Sequence, residues 1–228
     1  MTELRATTCV SRRGWVILAG LLAASLGAAG CGGSTSTTSS NTTPTGARTV
    51  TSAASPAAVI PTASLVPPAG AMQGFSPTGA AQTATSPQGW AQSSSESDEV
   101  AHEAARLTSA GFREGVGQHY TGTASAAALS LALVFNTPEG ARKEVTHYLQ
   151  VDPRYGLHLE GEKVAAIPGS IIVGEGPAGN VLFTTGRCFL LVGDKLGAPS
   201  SSPSQVNAVP IAAASALYNR VKGLCAPR

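Results

Sequence analysis

Residues 97–228 are predicted to form an α+β domain, with an antiparallel sheet of four to six strands packed by about three helices. Three observations carry that prediction. A stripe of Val100, Ala104 and Leu107 repeats at helical spacing and stops at a glycine. Leu129, Leu131, Leu133 and Phe135 alternate as a strand does. A run rich in β-branched and aromatic residues, broken by glycine turns, then precedes a last helical stretch. Runs of strands and helices in this order suit an antiparallel sheet with helices laid on it.

The first helix spans Asp98 to Ala110, with acidic residues at its positive end. Gly111 ends it by taking the left-handed position, which lets Phe112 fold back on Leu107. Phe112 to Tyr120 reads as a strand loosened by Gly115 and Gly117, and Ala126 to Phe135 as a firmer one. Asn136-Thr137-Pro138-Glu139 opens a second helix to about Gln150, with Thr137 as cap and Pro138 in the first turn. Its buried stripe is Ala141, Val145, Tyr148 and Leu149. Pro153 and Gly156 break the chain, and Leu157 and Leu159 suit a short strand. Ser170–Val173, Val181–Thr185 and Cys188–Val192 read as three further strands, with turns over 174–180 and at Gly186-Arg187. Leu196 to Ser204 is a polar loop. The last helix opens at Val206 or Pro210 and runs to about Lys222, burying Ile211, Ala214, Leu217 and Val221.

Ahead of this domain the composition changes. Between residues 32 and 96 the only charges are Arg48 and Glu96, and Ser, Thr, Ala, Pro and Gly dominate. Such a stretch cannot bury enough apolar surface to offset the entropy of ordering it, so 31–96 reads as a disordered tether. Sixty-odd flexible residues would have a root-mean-square reach of about 45 Å. Val59, Ile60, Leu65 and Val66 form its one apolar cluster. Residues 1–30 read as a signal peptide. Arg5, Arg12 and Arg13 precede an apolar run, Trp15–Ala29, that is shorter than the roughly 20 residues a spanning helix needs. An N-terminal anchor helix is the alternative. Ser11-Arg12-Arg13-Gly14-Trp15 also resembles a twin-arginine export signal.

Leu26-Gly27-Ala28-Ala29-Gly30-Cys31, placed just after that run, resembles a bacterial lipobox, with Ala28 where leucine is usual. The resemblance implies that Cys31 carries a diacylglycerol, with acyl chains such as palmitate, and becomes the first residue of the mature chain. Two chains hold firmly where one binds only marginally, at about 0.8 kcal/mol per buried methylene. Cys9 would leave with the signal, so the mature domain would retain Cys188 and Cys225. In an exported compartment such a pair usually forms a disulfide, and closing a loop of about 40 residues stabilises by about 3–4 kcal/mol. Two free buried thiols or half a metal site are the alternatives.

Motifs for catalysis, cofactors and metals are absent or incomplete. The string Gly174-Glu175-Gly176-Pro177-Ala178-Gly179 fits G-x-G-x-x-G, but strand-like residues follow it where a dinucleotide loop needs a helix. His102, His119, His147 and His158 are dispersed, and His102-Glu103 begins an H-E-x-x-H that ends in Arg106. Ser109 and Ser170 complete no nucleophile motif. Carboxylates such as Glu160 and Glu162, or Glu144 and Asp152, could converge only through the fold. Residues 97–228 hold 11 Lys/Arg and 11 Asp/Glu, so total charge provides no footprint for nucleic acid.

Signal, lipobox, Ser/Thr/Pro-rich tether and small Ala/Gly-rich domain together resemble actinobacterial cell-envelope lipoproteins. Residues 135–142 (Phe-Asn-Thr-Pro-Glu-Gly-Ala-Arg), 167–170 (Ile-Pro-Gly-Ser) and 181–187 (Val-Leu-Phe-Thr-Thr-Gly-Arg) are similar to segments of exported proteins in that group. The resemblance brings no catalytic residues with it. It implies a lipid-anchored protein on the extracellular face of the cell membrane. Its domain would bind an envelope protein, a wall component or a lipid rather than catalyse. An envelope-acting enzyme with a site assembled from scattered residues, or a lipid carrier with an apolar cavity, is the alternative.

Overall fold

A computed structural model describes residues 59–151, 163–175, 178–196 and 208–226. The expected signal, lipobox, Cys31 and Leu157/Leu159 strand lie outside those residues. The fold is α+β with an antiparallel sheet, as the patterning predicts. Its strands are β1 (Ser76–Pro77), β2 (Gln82–Ala84), β3 (Phe112–Thr121), β4 (Ala127–Phe135), β5 (Ile171–Glu175), β6 (Ala178–Thr185) and β7 (Cys188–Lys195). Its helices are α1 (Pro87–Ser94), α2 (Val100–Ala110), α3 (Pro138–Val151) and α4 (Ala208–Val221). The strand order is β1-β3-β4-β7-β6-β5, and β2 pairs with β3 beside β1.

Local chemistry sets the element ends. Gly111 sits at φ 76° and its N–H reaches the Leu107 and Thr108 carbonyls, closing α2. Thr137 Oγ1 accepts the Gly140 N–H at 3.3 Å, capping α3 as expected. Gly186, at φ 52°, takes the first corner of the tight turn between β6 and β7, where Thr185 pairs with Cys188. Residues 174–180, expected as a turn, mostly belong to strands. β5 and β6 pair up to Glu175 and Ala178, so Gly174, Glu175, Ala178 and Gly179 of the glycine string lie on paired strands, and a strand, not a helix, follows.

Both faces of the sheet are covered. β4 turns Leu129, Leu131, Leu133 and Phe135 toward α2 and α3, where Leu107, Ala141, Leu182 and Phe189 complete one core. Its other face, Ala128, Ala132 and Val134, joins Val181, Phe183, Leu190 and Val192 beneath α4, which contributes Ala213, Ala214, Leu217 and Val221. A strand buried on both sides lacks clean alternation.

The domain begins well before residue 97, which corrects the expected boundary. Ile60, Leu65 and Met72 are buried in the α4-side core, and Val59 alone of the early apolar cluster stays exposed. β1 and β2 pair along the outer edge of β3. Arg220 on α4 donates to the carbonyls of Ala63 and Val66, and Thr62 to Glu114. α1 is capped by Ser86 with Pro87 in its first turn, and it buries Trp90. Low-charge, proline-punctuated chain can therefore order when a sheet edge and an apolar face of the same domain receive its few large side chains.

Gly115 is the complement of Trp90. A Cβ on that glycine would stand 2.2 Å from the indole ring, so the ring lies directly on the strand backbone. The glycines expected to loosen β3 instead make the seat of a core tryptophan, whose ring also neighbours Phe112 at 6.4 Å.

Cys188 and Cys225 form the expected disulfide, with Cα atoms 5.6 Å apart and a sequence separation of 37. The Arg187 N–H donates to the Cys225 carbonyl at 2.8 Å, so the tail after α4 is fixed to the β6–β7 turn twice. Removing the disulfide by Cys188→Ala with Cys225→Ala should lower stability by about 3–4 kcal/mol, the chain-entropy value for such a loop. Urea unfolding measures it, and an unchanged midpoint would contradict the crosslink's role.

Candidate functional site

Two clusters of polar side chains are buried in the described residues, one on each side of the sheet. The first joins α2 to α3. Arg106 donates through Nε and Nη2 to Glu103, at 2.8 and 2.6 Å, and through Nη1 and Nη2 to Glu144, at 2.5 and 3.0 Å. Glu103 and Arg106 meet because residues three apart share a helix face. Glu144 is brought to them by packing, and only 1 % of its side chain is exposed. Burial alone would lower the Arg106 pKa, but its bonds and charge attraction to both carboxylates outweigh that and raise it. Burial raises the Glu144 pKa, and Arg106 offsets part of the rise.

His147 lies at the margin of this network, its Nε2 3.8 Å from Glu103. Burial, and then the charge of Arg106, hold its pKa down at about 4. It is therefore neutral at physiological pH, and His102 is exposed. Burial likewise lowers the pKa of His119 on β3. Among the described residues no group of three or more His, Cys, Asp and Glu side chains is placed to hold a metal. Every charge in the Arg106 cluster has its partner inside it, which makes the cluster a clamp between two helices.

The second cluster lies under α4. Successive strands place Tyr120, Ala128 and Asp194 side by side, with Gln118, Ser130 and Val192 in the next row. Tyr120 Oη and Ser130 Oγ share a hydrogen bond at 3.4 Å, and Gln118 donates to the His119 carbonyl. Asp194 is only 5 % exposed, and neither carboxylate oxygen has a hydrogen-bond partner among the described residues. The amides of Gly179 and of Asp194 itself are near enough to ease its charge without reaching hydrogen-bonding geometry. Burial dominates and pushes its pKa up to about 7. Burial also raises the Tyr120 pKa, partly offset by the bond to Ser130. Chemically, Asp194 is a proton-binding group at neutral pH in a layer whose other polar side chains, Gln118, Tyr120 and Ser130, are uncharged.

Cys188 and Cys225 are joined, whereas Cys31 lies outside the described residues, as do His158, Asp152, Glu160 and Glu162. Glu144 converges with Arg106 and Glu103. Ser109 Oγ donates to the Arg106 carbonyl, and Ser170 Oγ ties the Val164 amide and carbonyl, so both serve the local backbone. Asp194 carried no signal in the sequence. Gly193-Asp194-Lys195 reads as the polar end of a strand, and the strand expected to stop at Val192 continues through it.

No family model, curated protein or solved structure matches the chain. Among the described residues no helix is long and apolar enough to cross a membrane.

Proposed function

We propose that the chain is an exported lipoprotein, held by a diacylglycerol on Cys31 at the extracellular face of the cell membrane. Its α+β domain binds an envelope protein, a wall component or a lipid. The observation that supports this most is the buried Cys188–Cys225 disulfide, because such bonds persist in oxidising compartments and are rare in reducing ones. It agrees with a lipobox at Cys31 read independently from the N-terminus. The binding role is favoured by the clamp chemistry of the Arg106 cluster and by a sheet packed on both faces. The first buried residue among those described is Ile60. The 29 steps from Cys31 then limit its distance from the anchor to about 100 Å at full extension.

The test is the mass of the N-terminal peptide from membrane-extracted protein. The expected peptide begins at Cys31 with diacylglycerol on its sulfur, and Cys31→Ser should leave the chain unprocessed or release it. A chain that begins at Met1 with a bare Cys31 thiol would overturn the anchor. Crosslinking on intact cells should give a discrete adduct of the wild-type domain. Recovery of the uncrosslinked chain alone would count against a binding role.

A further inference from the structure

We propose that Asp194 is a pH-sensitive latch: protonated, it lets α4 seat fully on the sheet, and deprotonated, it loosens the first turns of that helix. The geometry supplies both halves of the device. The C-terminal end of α4 is fixed to the start of β7 by the disulfide and by the Arg187–Cys225 backbone bond. From there α4 packs back over β6 and β7. Its 14 residues rise about 21 Å, close to the roughly 20 Å of strand between Cys188 and Asp194. The first turns of the helix therefore meet the end of the sheet that carries Asp194, with no crosslink to hold them there among the described residues.

No cation on the described elements packed around Asp194 faces its carboxylate. β4 presents Ala128 and Ser130, β6 presents Gly179, and α4 contributes Val209, Ala213 and Ala214 to the layer. β3 presents Gln118 and Tyr120, the latter the one titratable neighbour among the described residues and bonded to Ser130. Lys195 falls on the opposite face by strand alternation. Residues 197–207 contain no ionisable side chain. An ionised carboxylate in that layer is strongly disfavoured, and its burial is relieved by letting the covering helix move.

The sign follows from linkage. The folded-state pKa of about 7 lies above the ordinary 3.8, so the closed state holds the extra proton between those values. Its advantage is full at low pH and is lost as pH rises toward 7. His147 works in the opposite direction, disfavouring the folded state as pH falls from 6.5 toward 4. Comparison with Asp194→Asn separates the two. In hydrogen exchange corrected for intrinsic rates, protection of the amides of Ala212, Ala213 and Ala214, the first in the helix with an acceptor one turn back, should fall about thirtyfold between pH 5.5 and 8 in the wild type. It should stay level in Asp194→Asn. Parallel loss in both proteins, or no loss in the wild type, would overturn the latch. The wild-type Asp194 carboxyl carbon gives a reading that needs no variant: a titration midpoint near 7 is expected, and one at the ordinary aspartate value of about 4 would also overturn it.

Discussion

A fragment that starts at residue 97 is expected not to fold cooperatively, whereas one that starts at residue 57 should unfold in a single transition. The shorter fragment lacks Ile60, Leu65, Met72 and Trp90, all buried. Each is worth roughly 1.5–3 kcal/mol of burial, so together they approach the whole stability of a typical domain. Part of this loss is offset because fewer residues need ordering. The remaining sheet is nonetheless worse off than that balance implies. Gly115 and Gly117 lose the indole that covers them, and the outer edge of β3 loses β1 and β2. An unpaired edge beside bare apolar surface invites association between copies. Urea unfolding followed by far-UV circular dichroism, with size-exclusion chromatography, separates the outcomes. A monomeric 97–228 fragment with a sigmoidal transition would show that the early segment is dispensable.

Arg106→Ala should destabilise the domain by about 3–5 kcal/mol, since it leaves Glu144 buried without its counter-charge. The loss should depend on pH with a definite sign. Burial already holds the Glu144 pKa above its ordinary value, and removing Arg106 raises it further. Protonation then stabilises the variant at low pH, and that contribution is lost as pH rises through the raised pKa. The deficit relative to wild type should therefore be smaller at pH 5 than at pH 8. Combining Arg106→Met with Glu144→Leu should recover most of the stability, because an apolar pair of similar volume needs no desolvation of charge. If Arg106→Ala proves neutral at pH 8, the network contributes no more than an exposed surface ion pair.

What could be read from the sequence was local. The Thr137-Pro138 start of α3 and the Gly111 stop of α2 each depend on neighbours within four residues. The β4 leucines lie two apart as on a strand, and although they also suit a helix, Asn136-Thr137-Pro138-Glu139 ends the run. Cys188 and Cys225 were legible through chemistry, because few fates are open to a pair of cysteines in an oxidising compartment. Glu144 illustrates the limit. On the helix it resembles any solvated carboxylate, and only the packing of α3 on α2 brings it to an arginine 38 residues earlier.

The amino-acid order by itself determined the α+β class, most element boundaries after residue 97 and the cysteine pair. These rest on spacing along the chain, which local sterics and hydrogen bonding translate directly into helix or strand. Tertiary structure alone decided that residues 59–96 belong to the domain. Their four large buried apolar side chains, Ile60, Leu65, Met72 and Trp90, have no period of their own and acquire meaning only against β3 and α4. It also decided that Asp194 is a buried, unpartnered acid, for burial belongs to the layers around a residue. A polar strand end next to a glycine gives no sign of the helix that will cover it.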